Sequence, residues 1–132
     1  MKHLTVEQIL FINSRLIGKA RGSHGIRDLG LLQFAVLRPQ STFGGKELYP
    51  DVFYMAAAAL LMESLIKNRP FIDGNKRTAI TSAGIFLKRN GYALKTTQEE
   101  LERFTLDMAN GKASTLDAVK WFKKHSSKDE DE

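Results

Sequence analysis

Residues Asn68 to Ala79 read Asn-Arg-Pro-Phe-Ile-Asp-Gly-Asn-Lys-Arg-Thr-Ala, and positions 73 to 77 bring together an Asp, a Gly, an Asn, a Lys and an Arg. They fall where a rigid Pro-Phe turn gives way to an expected helix. A helix start exposes unpaired N–H groups and carries partial positive charge, so it favours acids and disfavours bases. Lys76 and Arg77 break that preference. Two cations at such a place fit an external anion, most simply a phosphate, and Asp73 just before them is suited to hold a divalent metal on it. The alternative is that Asp73 caps the helix and pairs with Arg77.

The elements that must position this cluster read as helices. Thr5-Val6-Glu7-Gln8 is a capping-box start, and Ile9, Leu10, Ile12, Leu16 and Ile17 give one apolar face before a stop at Gly18. Residues 19–27 are Gly-rich and polar, hence a loop. Asp28 can cap a second helix over about 29–37, expected to end before Pro39. Phe43-Gly44-Gly45-Lys46 signals a turn in a short exposed loop or hairpin. Pro50 opens a long helix to about Lys67, and its Ala- and Leu-rich middle, Met55 to Met62, marks it as the buried centre of an all-helical domain. The next helix runs over about 75–89 and ends at Asn90-Gly91. Thr97-Gln98-Glu99-Glu100 caps a helix to about Ala109, and Ser114 or Thr115 begins a last one through Trp121 and Phe122. The Phe, Met and Trp121 side chains sit at helical spacing and read as core. His3 and His125 are expected to be solvated, and His24, in the Gly-rich loop, is a weaker candidate for lining a site.

Composition limits the class. At 132 residues the chain suits one domain with a real core, and 42% apolar with 27% charged residues is ordinary for a soluble globular protein. No apolar run approaches the ~20 residues needed to span a bilayer, and the first residues lack the apolar stretch of a signal peptide. There is no cysteine, which excludes disulfides and Cys-based metal or nucleophile chemistry. A cytoplasmic protein is expected. Residues 128–132 hold one Lys and four acids, so the net +5 of the whole leaves +8 on the rest. That basic body suits an anionic ligand, an acidic partner or simply a solubilising surface. Nucleic acid is not expected, because no recognition-helix pattern or base-stacking module is present. The domain is placed at 1–125 and a disordered acidic tail at 126–132.

The run Arg69-Pro70-Phe71-Ile72-Asp73-Gly74-Asn75-Lys76-Arg77-Thr78 resembles the signature of the Fic/Doc family, His-Pro-Phe-x-Asp-Gly-Asn-Lys-Arg-Thr in its Doc branch. The resemblance extends to Gly25 through Leu32, to Arg38-Pro39-Gln40, and to Thr42 through Pro50, the last similar to the family's flap. Nearly the whole chain is thus similar to a Doc-like (death-on-curing) toxin. Fic-type adenylyltransferases usually carry Gly at the position of Lys76 and a second Arg at that of Ile80, so both residues point to Doc. The resemblance implies a compact bundle of about six helices with a short flap loop, binding ATP with Mg²⁺. It implies transfer of the terminal phosphate to a hydroxyl of a translation factor of the elongation factor Tu class. It also implies a cognate antitoxin whose C-terminal segment folds into a groove. AMP transfer of the Fic type is the alternative.

Carried over, the resemblance gives Asp73 the Mg²⁺, and Gly74 a close backbone approach to the phosphates. Asn75, Lys76 and Arg77 would hold phosphate oxygens, and Phe71 would anchor the loop in the core. The departure is at position 69, where the family His takes the proton from the target hydroxyl. A guanidinium stays protonated and has no acceptor lone pair, so Arg69 cannot serve as that base. This form is therefore expected to be inactive. Three accounts are open: an inactivating change in a toxin, a natural catalytically dead module that binds nucleotide or antitoxin, or a different base such as His24.

Overall fold

A computed structural model describes residues 1–43 and 49–129. Among them are six helices, α1 (Val6–Ala20), α2 (Leu29–Thr42), α3 (Asp51–Asn68), α4 (Asn75–Arg89), α5 (Gln98–Ala109) and α6 (Thr115–His125). They are joined by two short strands, β1 (Tyr92–Leu94) and β2 (Ser126–Lys128). The expected all-helical fold is the one observed. Three helix starts follow local chemistry directly. Thr5, Thr97 and Ser114 each form a full capping box, with Gln8, Glu100 and Asp117 reaching back to the cap N–H. The Thr97 backbone N–H holds the Glu100 carboxyl below its ordinary range, and the Ser114 N–H does the same for Asp117.

α3 lies at the centre and packs against α2, α4, α5 and α6, while α1 packs on α4. Its burial runs round the whole helix, as the apolar middle predicts, and Ala57, Ala58 and Ala59 are fully enclosed. Small residues there let neighbouring helices approach closely. Ala79 and Ala83 do the same on α4, beside buried Phe86 and Leu87. Apart from Ile17, the buried apolar side chains form one cluster.

Two of the expected element boundaries need correction. α2 does not stop before Pro39 but carries it inside, ending at Thr42. Proline removes one helical donor and typically costs ~3 kcal/mol in a helix interior. Here the ring is buried, Gln40 Nε2 donates to the Val36 carbonyl at 3.2 Å, and Arg38 bridges to Glu63 on α3 at 2.8 Å. Tertiary packing outweighs the local rule. The tail is likewise not wholly disordered. Ser126–Lys128 pairs antiparallel with β1, Tyr92 opposite Lys128 and Leu94 opposite Ser126. The pairing is extended by Asp129 N–H donating to Gly91 O at 2.7 Å and by a Lys88–Asp129 ion pair. Composition is blind to such pairing, because three short polar residues satisfy backbone groups rather than bury side chains. Residues 130–132 and most of the expected flap, 44–48, lie outside the described residues.

Neither terminal histidine is simply solvated. His125 stacks on Trp121 at 4.0 Å between centroids, and its ring nitrogens meet Trp121 O and Glu100. His3 stacks on Phe86, and its buried Nε2 has no partner among the described residues. Burial, then the charge of the nearby α-amino group, pushes the His3 imidazole below its ordinary 6.5. A base whose folded pKa is depressed stabilises the fold above its unfolded pKa, and that contribution is lost as pH falls below it. The melting temperature is therefore expected to drop as pH falls below about 6.5. His3→Gln should flatten that slope by about 1–3 °C between pH 7 and pH 5, as scanning calorimetry of both proteins would read.

Candidate active site

The site loop begins where α3 must stop. A residue before proline is disfavoured in the helical region, so Asn68 is the last helical residue and Arg69 turns left-handed at φ 48, ψ 61. Pro70 and Phe71 are then buried, Phe71 as expected. The Gly-rich loop before α2 runs beside them. Arg27 and Asp28 N–H groups both donate to Pro70 O, at 2.7 and 3.0 Å, and Ile72 N–H donates to Gly25 O at 3.1 Å. The Arg27 side chain reaches the carbonyls of Asn68 and Arg69.

Asn75 locks the other end. It is only 8% exposed, its Oδ1 accepts from Phe71 N–H and its Nδ2 donates to Phe71 O, both at 2.9 Å. The expectation gives this side chain a phosphate oxygen; here its amide oxygen and nitrogen are both bonded to the Phe71 backbone. Gly74 caps α4 at φ +77 and brings no side-chain acceptor to the first turn. A Cβ there would meet Ile17 Cδ1 at 2.6 Å, and the positive φ itself disfavours any other residue.

Asp73 neither caps α4 nor pairs with Arg77. Its Oδ1 accepts from Gly74 N–H at 2.8 Å, and its Oδ2 lies 3.4 Å from Ser23 N–H. A Cβ on Gly22 would strike that Oδ2 at 2.6 Å, so the Gly-rich loop leaves room for the carboxylate. Asn13, 4% exposed on α1, donates through Nδ2 to Asp73 O and Thr78 Oγ1, both at 3.0 Å. Lys76 and Arg77 are exposed, and no carboxylate pairs with either among the described residues. Arg69, Asp73, Lys76 and Arg77 line a cleft of about 480 Å³, with Ile66 as an apolar wall and Asn110 beyond the end of α5.

The sequence cluster is thus assembled as a cleft, and Asn75 lines it while its side-chain amide is bonded to Phe71. His24 is exposed and does not line it. Asn13, Gly22, Arg27 and Asn110 are site or supporting residues that sequence reasoning missed. Asn13 carried a signal of its own, standing four residues from both Ile9 and Ile17 as a polar side chain in an apolar stripe. The geometry offers unpaired cations, a helix start without a side-chain cap and one carboxylate, a donor set for a metal-bound polyphosphate.

The family model described as Fic/DOC family matches residues 3–87. The chain belongs to the Fic/DOC family. A relative named Toxin Doc, from Mycolicibacterium smegmatis, is 43% identical over 93 residues, covering 70% of this chain and 68% of that protein. Another, named Protein kinase doc, from Escherichia phage P1, is 31% identical over 114 residues, covering 86% and 87% of the two chains. The Fic/DOC match spans the whole of the cleft-forming loop and the α4 start. No helix among the described residues is long and apolar enough to cross a membrane.

Proposed function

We propose that the cleft binds ATP with Mg²⁺ and that the chain is a Doc-like phosphotransferase toxin silenced by Arg69. The observation that carries this is the convergence of Asp73, Lys76 and Arg77 on one cleft, with no ion pair among the described residues to neutralise the cations. Phosphoryl transfer needs positioning and charge stabilisation more than covalent chemistry from the protein. Arg77 offers a bidentate fork to phosphate oxygens, Lys76 a point charge, and the first-turn N–H groups of α4 an anion hole.

The metal fits the donor set. No group of three His, Cys, Asp or Glu gathers among the described residues. A single carboxylate with phosphates and water is how Mg²⁺, but not a caged structural metal, is commonly held. Asp73 would hold it, oriented by the Gly74 and Ser23 N–H groups. The ion, when bound, supplies neutralisation of phosphate charge. The residue at 69 then lies beside the phosphates, where the family His would take the proton of the target hydroxyl and Arg69 has no lone pair to do so.

The acceptor in this reading is a hydroxyl of a translation factor of the elongation factor Tu class, in the cytoplasm. Lys76 and Ile80 favour terminal-phosphate over AMP transfer, since the Fic pattern has Gly and Arg at these positions. The test is incubation of the Arg69→His form with Mg²⁺ and ATP labelled at the α- or the γ-phosphate, plus a bacterial lysate. Label from the γ-position alone supports a kinase, label from the α-position makes it an adenylyltransferase, and none leaves a binding module.

A toxin of this kind needs an antitoxin, and a separate groove suits its helical segment. Between α1 and α4 lies a cleft of about 470 Å³ walled by Leu4, Phe11, Ile12, Leu16 and Ile85, with Arg15 and Arg89 at its polar part. Phe11 is 65% exposed, an aromatic side chain with little to cover it. Phe11→Asp is expected to weaken binding of the cognate antitoxin's C-terminal peptide by roughly 30-fold. ATP affinity should be unchanged, both measured by titration calorimetry. Equal peptide affinity for the two proteins would place the antitoxin elsewhere.

A further inference from the structure

We infer that Arg27, remote in sequence from the motif and outside the cleft, is a positioning residue that aims the side chain at position 69. The last carbonyls of a helix have no intrahelical donors. At the end of α3 a single side chain supplies the last of them and the one beyond: Arg27 Nη2 donates to Asn68 O at 2.5 Å and Nε donates to Arg69 O at 2.6 Å. The next carbonyl, that of Pro70, is taken by the N–H groups of Arg27 and Asp28. Three consecutive carbonyls, those flanking and including position 69, are thus held from one short segment.

That segment is itself anchored. Asp28 Oδ1 accepts from Leu31 N–H at 3.0 Å and caps α2, while Gly25 O and the Ile26–Phe71 bridge tie the segment to the far side of the loop. Arg27 has no carboxylate partner among the described residues, so its charge is directed at the negative end of α3. The planar fork reaches two successive carbonyls at once through donors of fixed spacing. Lysine carries its donors on one compact, strongly hydrated ammonium and does not reproduce that spacing. The constraint matters because position 69 sits in the left-handed region before a proline, a conformation the chain does not hold by itself. Without the fork, α3 remains buried in the core, but the direction in which residue 69 leaves it is no longer fixed.

The role in turnover rests on the phosphotransferase reading, so two independent measurements are needed. The first is amide hydrogen exchange on the full chain. Arg27→Ala is expected to speed exchange at Phe71 and Ile72 roughly tenfold, with the interiors of α3 and α4 unchanged. Arg27→Lys should fall between. Unchanged protection at 71 and 72 would overturn the inference whatever the protein's activity. The second is kinetics in the Arg69→His background. There Arg27→Ala should lower kcat by on the order of 10²-fold and leave the KM for ATP within about threefold, with added guanidinium, but not ammonium, restoring part of kcat. A loss that merely tracks the folded fraction, with no guanidinium rescue, would also overturn it. An Arg69→His protein inert towards ATP would sink the phosphotransferase reading instead, and the exchange data would still decide the role of Arg27.

Discussion

Replacing Arg69 with His is expected to raise phosphate transfer from ATP by on the order of 10²–10⁴-fold, the span that a positioned general base contributes. The present side chain is a permanent cation with donors only, so it can neutralise phosphate charge but cannot receive the proton of an attacking hydroxyl. An imidazole at the same place accepts that proton in its neutral form, so the gained rate should rise with pH through about 6.5 and then level. The backbone favours the exchange. Position 69 has φ 48, and His is enriched several-fold among non-glycine residues in that region. Stability should therefore stay within about 0.5 kcal/mol. Removing one cation from the cleft should also weaken ATP binding slightly, so the rate gain must show in kcat. A His form that binds ATP with Mg²⁺ yet transfers neither label in the presence of lysate would eliminate Arg69 as the block.

Much of the scaffold was legible because its signals are local. A cap such as Thr97 and its partner Glu100 lie within one turn, so sequence neighbours are also spatial neighbours. The all-round apolar α3 was equally readable, since only a central helix can bury Ala57 to Ala59 and Leu61 together. Pro39 misled because its cost is set locally and its compensation is not: Glu63, which holds Arg38, lies 25 positions away. The Ser126–Lys128 strand was missed for the same reason, its partner being β1. Within the site, residue types located the cleft but not which way each side chain turns. Lys76 and Arg77 face outward as their charges require. Asn75 has no charge to keep it in water, and a short amide one residue into a helix can turn back on the loop instead. Arg27 lies in the stretch that resembles the family, but its role gave no signal, because a side chain that serves backbone carbonyls answers to geometry and not to a partner residue type.

That difference at Asn75 leads to the largest expected effect on stability. Its amide spans the N–H and C=O of Phe71, a residue 1% exposed at the base of the loop. Asn75→Ala strands both groups away from water, and each unsatisfied buried group costs ~1–3 kcal/mol, so about 2–6 kcal/mol is expected in all. For a domain whose total stability is typically ~5–15 kcal/mol, that is a large share and should be plain in urea unfolding. If Asn75 instead served chiefly as a phosphate contact, the same change would leave the unfolding midpoint alone and reduce only ATP affinity. Asn75→Asp refines the test. An ionised carboxylate can still accept from Phe71 N–H but presents a lone pair to Phe71 O, losing one bond and adding repulsion. Protonation supplies the missing donor, so this variant should gain stability relative to the parent as pH falls through the range of about 6 to 4. A variant that parallels the parent across that range would show that Nδ2 is not what holds the loop.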